Sequence, residues 1–135
     1  MMRSSQIRDV QLATTSCTIP AGKQYSYPIL VSVPNTVLSW SFYSSYYDID
    51  FAVQRELEDE NTEVIVEKET FSSDTTYQGK ILVNECGTYN LIWDNSRAWI
   101  RERNVVFSVS LKIPQLPTSM RNRCSSCAVT AFSYP

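Results

Sequence analysis

Histidine is absent from all 135 residues of this chain. Ser-His-Asp and Cys-His catalysis are thereby excluded, as is every imidazole metal site. Glycine is almost as scarce, and three residues in the whole sequence cannot build a glycine-rich phosphate loop. Charge is thin too: 19% of the residues are charged, and 12 bases against 14 acids leave a net charge of -2. That balance supplies no electrostatic footprint for nucleic acid or a strongly acidic substrate. No window reaches the roughly 18 to 20 apolar residues that cross a bilayer. The first ten residues are polar and include Arg3, Arg8 and Asp9, with no apolar secretory segment behind them. The expectation is a cytoplasmic chain. In that compartment the four cysteines, Cys17, Cys86, Cys124 and Cys127, are expected as reduced thiols, although three disulfide pairings stay formally open.

What the chain has instead is β-forming residues. Val, Ile and Thr number 12, 9 and 11 beside 16 aromatics, against 6 Ala and 8 Leu. Branched and aromatic side chains suit a pleated, half-buried surface, so an all-β fold is expected. Alternation supports it. Tyr25, Tyr27, Ile29, Val31 and Val33 share one face, and Pro28 among them marks an edge strand. Leu38, Trp40 and Phe42 form a second face, then Ile49, Phe51 and Val53, then Tyr89, Leu91 and Trp93. The most regular run is Val105, Phe107, Val109, Leu111 and Ile113. With short strands at 64–66 and 81–83 and turns about every ten residues, the pattern predicts a compact antiparallel β-sandwich, jelly-roll-like, of seven or eight strands. Trp40, Phe51, Tyr89 and Phe107 are its expected glue. The boundaries read as an N-terminal tail over 1–14, the sandwich over 15–113 and a C-terminal tail over 114–135.

Charge is segregated. Residues 56–74 carry eight acids and the single base Lys68, and Glu58-Asp59-Glu60-Asn61 reads as a hairpin tip. From Arg97 to Arg123 six bases face the single acid Glu102.

Each chemical constellation has a plain structural alternative. Cys124-Ser-Ser-Cys127 has the spacing of half a zinc site, but the two remaining cysteines are distant, so the pair is read as part of the tail. Asp48, Asp50 and Asp94 are potential acid-base or calcium carboxylates, yet no general acid or metal loop surrounds them, and turn or strand-edge bonding is the simpler role. Trp99 stands in a loop beside Arg97, Arg101 and Arg103, a mixture favoured at interfaces. It serves either as a partner anchor or as a plug closing the end of the sandwich. Tyr43, Tyr46 and Tyr47 form a second aromatic cluster at a strand junction.

Four blocks in order, Leu38-Ser-Trp40-Ser-Phe42, Asp48-Ile49-Asp-Phe51-Ala-Val53, Gly87-Thr-Tyr89-Asn-Leu91-Ile-Trp93-Asp94-Asn95-Ser96-Arg-Ala-Trp99 and Val105-Val-Phe107-Ser-Val109, resemble a GOLD (Golgi dynamics) domain. The resemblance runs from Thr15 to Ile113. It implies a non-enzymatic β-sandwich that serves as a protein-interaction module in Golgi structure, vesicle traffic or lipid transfer. Lumenal members carry a signal peptide, a coiled coil and a membrane span, none of which is read here, so the cytosolic type is implied.

The expected function is therefore an adaptor peripheral to Golgi or endosomal membranes, binding a protein partner through Arg97, Trp99, Arg101 and Arg103. No cofactor, metal, nucleic acid or small-molecule substrate is expected. The alternative is direct binding of the same basic loop to anionic membrane lipids. A secreted sugar-binding sandwich is a third class, and it would require two disulfides.

Overall fold

The computed structural model describes residues 7–114. Eight strands follow one another: β1 (Ile7–Ile19), β2 (Gln24–Val31), β3 (Thr36–Ser45), β4 (Ile49–Glu56), β5 (Thr62–Phe71), β6 (Thr76–Val83), β7 (Gly87–Asp94) and β8 (Arg103–Pro114). They form two antiparallel sheets, ordered β1-β8-β3-β6 and β2-β7-β4-β5. Every connection except the β4–β5 hairpin passes from one sheet to the other. This is a jelly-roll sandwich. No α-helix occurs among the described residues, and the hairpin tip is a short 3-10 turn over Glu58–Glu60 with Asp59 and Glu60 at positive φ.

Alternation writes the core directly. Leu38, Trp40 and Phe42 of β3 face inward with Val105, Phe107, Val109 and Leu111 of β8. Opposite them lie Phe51 and Val53 of β4 and Tyr89, Leu91 and Trp93 of β7. The aromatic rings interlock across the gap, with centroid separations of 4.6 Å for Trp93–Phe107, 4.8 Å for Phe42–Phe51 and 5.1 Å for Phe51–Trp93. Tilted pairs at such distances add about 0.5–1.5 kcal/mol each beyond their buried area. Trp93 is fully buried, and its Nε1 has no hydrogen-bond acceptor among the described residues. An unmade bond of that kind costs about 1–3 kcal/mol, so the indole is there for its area and shape.

One glycine is required by this packing. Gly79 of β6 lies opposite Trp40 of β3, and a Cβ there would stand 2.6 Å from the indole ring. The ring occupies the space that a side chain would need.

The strand pattern departs from the sequence reading at the N-terminus. Residues 7–14, expected as a tail, belong to β1 and pair with β8 from Ile7–Pro114 to Ile19–Arg103. Val10 and Ala13 pack on the core margin, but a bulge between Gln11 and Ala13 inserts Leu12 and breaks their alternation. That one extra residue conceals the strand. At the other limit, Pro114 is the last residue of β8. The rest of the expected C-terminal tail, with Cys124 and Cys127, lies outside the described residues. Strand β5 also runs well beyond the short 64–66 segment, because bulges opposite Phe51 and Val53 let charged residues share a strand with Val64 and Val66.

The register sorts the loops into two ends. The β1–β2, β3–β4, β5–β6 and β7–β8 connections lie at one end. The β2–β3, β4–β5 and β6–β7 connections lie at the other, with Ile7 and Pro114. The thiols differ from the expectation of four reduced cysteines: Cys86, in the β6–β7 turn, is disulfide-bonded, and Cys17 is free. Compartment was inferred from N-terminal composition, whereas bond formation depends on which segments the fold brings together.

Alkylation in denaturant should accordingly label Cys17 without reductant and Cys86 only after reduction, as read by peptide mass spectrometry. Gly79→Ala should destabilise the fold by about 1–3 kcal/mol through overpacking against Trp40, measured by urea unfolding.

Candidate docking end of the sandwich

The β7–β8 loop begins on Asp94-Asn95-Ser96, where short polar side chains bond to nearby backbone. Ser96 N donates to Asp94 Oδ1 at 2.8 Å. Asn95 is buried, and its amide nitrogen donates to Ile19 O at 3.0 Å, Pro20 O at 3.2 Å and Arg101 O at 3.0 Å. Its backbone N donates to Lys23 O at 2.8 Å, and its carbonyl accepts from Gly22 N and Ala98 N. One residue thus ties the end of β1, the β1–β2 turn and both limbs of its own loop.

The arginines on that loop are not equivalent. Arg97 grips Asp50 with two hydrogen bonds, Nε to Oδ2 at 2.7 Å and Nη2 to Oδ1 at 2.9 Å, while Thr70 donates to the same carboxylate at 2.6 Å. Arg103 reaches the Asp48 backbone carbonyl with Nε and the Asp48 carboxylate with Nη2 at 3.3 Å. Arg101 has no ion pair among the described residues, and its guanidinium lies over the Tyr47 ring at 5.4 Å, beside Arg103 at 5.1 Å. Three cations therefore share their surroundings with Asp48, Asp50 and Glu102. In the positive loop read from the sequence, Arg97 and Arg103 are paired in space with carboxylates from β4 and the turn before it, and Arg101 is not. The three aspartates weighed as catalytic or calcium carboxylates are each held by a cation or backbone donor, Asp94 by Lys68 at 2.8 Å. Among the described residues no group of three or more His, Cys, Asp or Glu is placed to hold a metal ion.

Hydrogen bonding sets the carboxyl titrations. The Arg97 bonds hold the Asp50 carboxyl below its ordinary range, overcoming the upward push of burial, with Thr70 assisting. Burial pushes Asp94 upward, but the bonds from Lys68 and Ser96 together outweigh it, so its net displacement is also downward.

With both flanks pinned, two residues project. Trp99 is 93% exposed and Ile100 85% exposed. Trp99 does not plug the sandwich; Asn95 and Arg103 fasten that end without it. Beside the tip lies the β3–β4 turn, where Tyr46 is 79% exposed and Tyr47 is exposed as well. That turn is fastened as well. Ser44 Oγ donates to Tyr47 O at 2.7 Å, and Asp74 Oδ1 accepts from Tyr43 Oη and Tyr46 N, both at 3.1 Å. Between the two loops is an open hollow of about 350 Å³ lined by Tyr46, Tyr47, Ile100 and Arg101. Of the four residues singled out in the sequence, Trp99 and Arg101 face outward, whereas Arg97 and Arg103 spend their guanidinium groups within the molecule. Ile100 and Tyr46 complete the exposed patch. Tyr46 belongs to the aromatic cluster read at the β3–β4 junction, but nothing in the sequence selected Ile100 or said that the two loops would stand together.

No family model matches the sequence. Several solved structures share the fold. The subunit of Bacillus endospore appendages, described as a novel family of disulfide-linked pili, is similar with a TM-score of 0.57 at 9% identity, covering 82% of this chain and 90% of that one. PirA is similar at 0.50 with 10% identity, over 73% of this chain and 92% of that one. A protein of the infectious bursal disease virus Gt strain gives 0.50 at 8% identity over 80% of this chain and 33% of its own length. Likeness at these identities is one of fold alone.

Two outcomes test the architecture of this end. Asn95→Ala should cost about 2–3 kcal/mol by leaving carbonyls of β1 and the loop without their donor, measured by chemical unfolding. Because the Asp50 carboxyl lies below its unfolded value of about 3.9, its ion pair stabilises the fold above that pH, and the contribution fades as pH falls through the folded value. Asp50→Asn should lower Tm at neutral pH and flatten the loss of Tm as pH falls below about 4. An acid limb of unchanged steepness would assign that transition to other groups.

Proposed function

We propose that this chain is a non-enzymatic protein-interaction module that docks through the Trp99–Ile100 tip. The observation carrying the reading is a nearly fully exposed tryptophan on a loop fixed at both flanks by Asn95, Arg97 and Arg103. Tryptophan is over-represented among residues that dominate binding energy. A loop already held in place loses little conformational freedom on docking. The fitting partner is a protein with an apolar cleft wide enough for an indole, bordered by acidic or carbonyl groups for Arg101.

The GOLD-like sequence blocks support a place for such a module in Golgi or vesicle traffic, as an adaptor or as the interaction part of a lipid-transfer protein. They also favour a cytoplasmic location with peripheral contact to Golgi or endosomal membranes. The disulfide at Cys86 pulls the other way, toward an oxidising compartment, and thiol labelling in intact cells separates the two. Direct binding to anionic lipid is the weaker reading, because Arg97 and Arg103 are already paired with carboxylates.

Affinity capture from cell extract, with wild-type chain as bait, is the test. Trp99→Ala should reduce recovery of the partner at least tenfold while shifting stability by no more than about 0.5 kcal/mol. Sedimentation with vesicles containing anionic lipid should leave the protein in the supernatant. Undiminished capture by the variant would place the docking surface elsewhere, and salt-sensitive vesicle binding would favour the lipid reading.

A further inference from the structure

Among the described residues both sheets are open, leaving four strand edges: β1, β6, β2 and β5. An open edge presents unpaired backbone groups to any other extended chain, and soluble proteins usually block it. Three edges here are blocked. Strand β2 carries Pro28 near its middle. Strand β5 carries Glu63, Glu67, Lys68 and Glu69 and is distorted by bulges. Strand β6 carries the charged Lys80 at its middle.

Strand β1 is the exception. Its charges, Arg8 and Asp9, and its bulge at Leu12 are confined to the first half. From Ala13 to Ile19 there are seven residues without a charge, proline or glycine, four of them β-branched. At about 3.3 Å per residue this is roughly 23 Å of ladder.

We infer that this edge pairs with the same edge of a second copy, antiparallel about a two-fold axis near Ser16, joining two four-stranded sheets into one of eight. The stretch suits its own copy. Ser16 would face Ser16 and Thr14 would face Thr18 on the outer side, hydroxyl against hydroxyl, a pairing that stabilises adjacent strands. On the core side, Ala13 and Cys17 are half-buried and Thr15 is exposed at the margin of the sandwich. The copy's Ile19, Cys17 and Thr15 would cover that margin. With no charge in the segment, no like-charge pair opposes the symmetric arrangement. A single edge contact is smaller than most stable interfaces, so the pairing is expected to depend on concentration.

Sedimentation equilibrium on the full chain, over a hundredfold range of concentration and with its disulfide intact, tests this. Wild type should pass from monomer toward dimer as concentration rises. Ser16→Lys and Ser16→Glu should each raise the dissociation constant at least tenfold, and an equimolar mixture of the two should restore association. Circular dichroism and Tm establish that both variants fold. A wild type that stays monomeric overturns the inference. So does a dimer indifferent to both substitutions, or one lost in Trp99→Ala, which would assign self-association to the loop tip instead of the strand edge. Because the tip and the β1 edge are altered separately, failure of one reading leaves the other standing.

Discussion

The structure depends on rings meeting across the gap between two sheets. Trp93 and Phe51 from one layer, and Phe107 and Phe42 from the other, fill the centre so completely that surrounding choices become constrained. Gly79 must lack a side chain where Trp40 spreads. The Trp93 indole nitrogen finds no acceptor among the described residues, and the ring contributes area and shape instead. The strands bring these rings into register, but interdigitation of large apolar side chains makes two curved sheets one body.

Polar groups then do a different task at the end that carries the β7–β8 loop. Asn95 is a small buried hub whose amide replaces the backbone partners that the end of β1 and the β7–β8 loop cannot find for themselves. Arg97 and Arg103 act as struts, to β4 and to the loop before it respectively. Buried or half-buried ion pairs often contribute little net stability, but they fix geometry. The geometry they fix leaves an aromatic tip in water with little freedom to fold back.

Much of the fold was legible because strand periodicity is a local property. Period-two runs at Leu38–Phe42, Tyr89–Trp93 and Val105–Leu111 lie on core faces, and Pro28 marked a true edge. What escaped was whatever depends on an irregularity or on distance. A single inserted residue, Leu12, disguised half of β1 as a tail. Arg97 and Arg103 read as a free basic loop because their neutralising partners, Asp50 and Asp48, are nearly fifty residues or more away in the chain. Tyr46 stood out in its aromatic cluster, but Ile100 did not, and their two loops meet only after the jelly roll closes.

The pairing of Ile7 with Pro114 also has a practical bearing on how the molecule would be handled or joined to others. Both ends of the described chain leave from the face opposite the indole, some strand-length away from it. A label, a surface tether or a neighbouring polypeptide joined at Ile7 or Pro114 would grip the sandwich at one extremity and leave its hydrophobic point at the other.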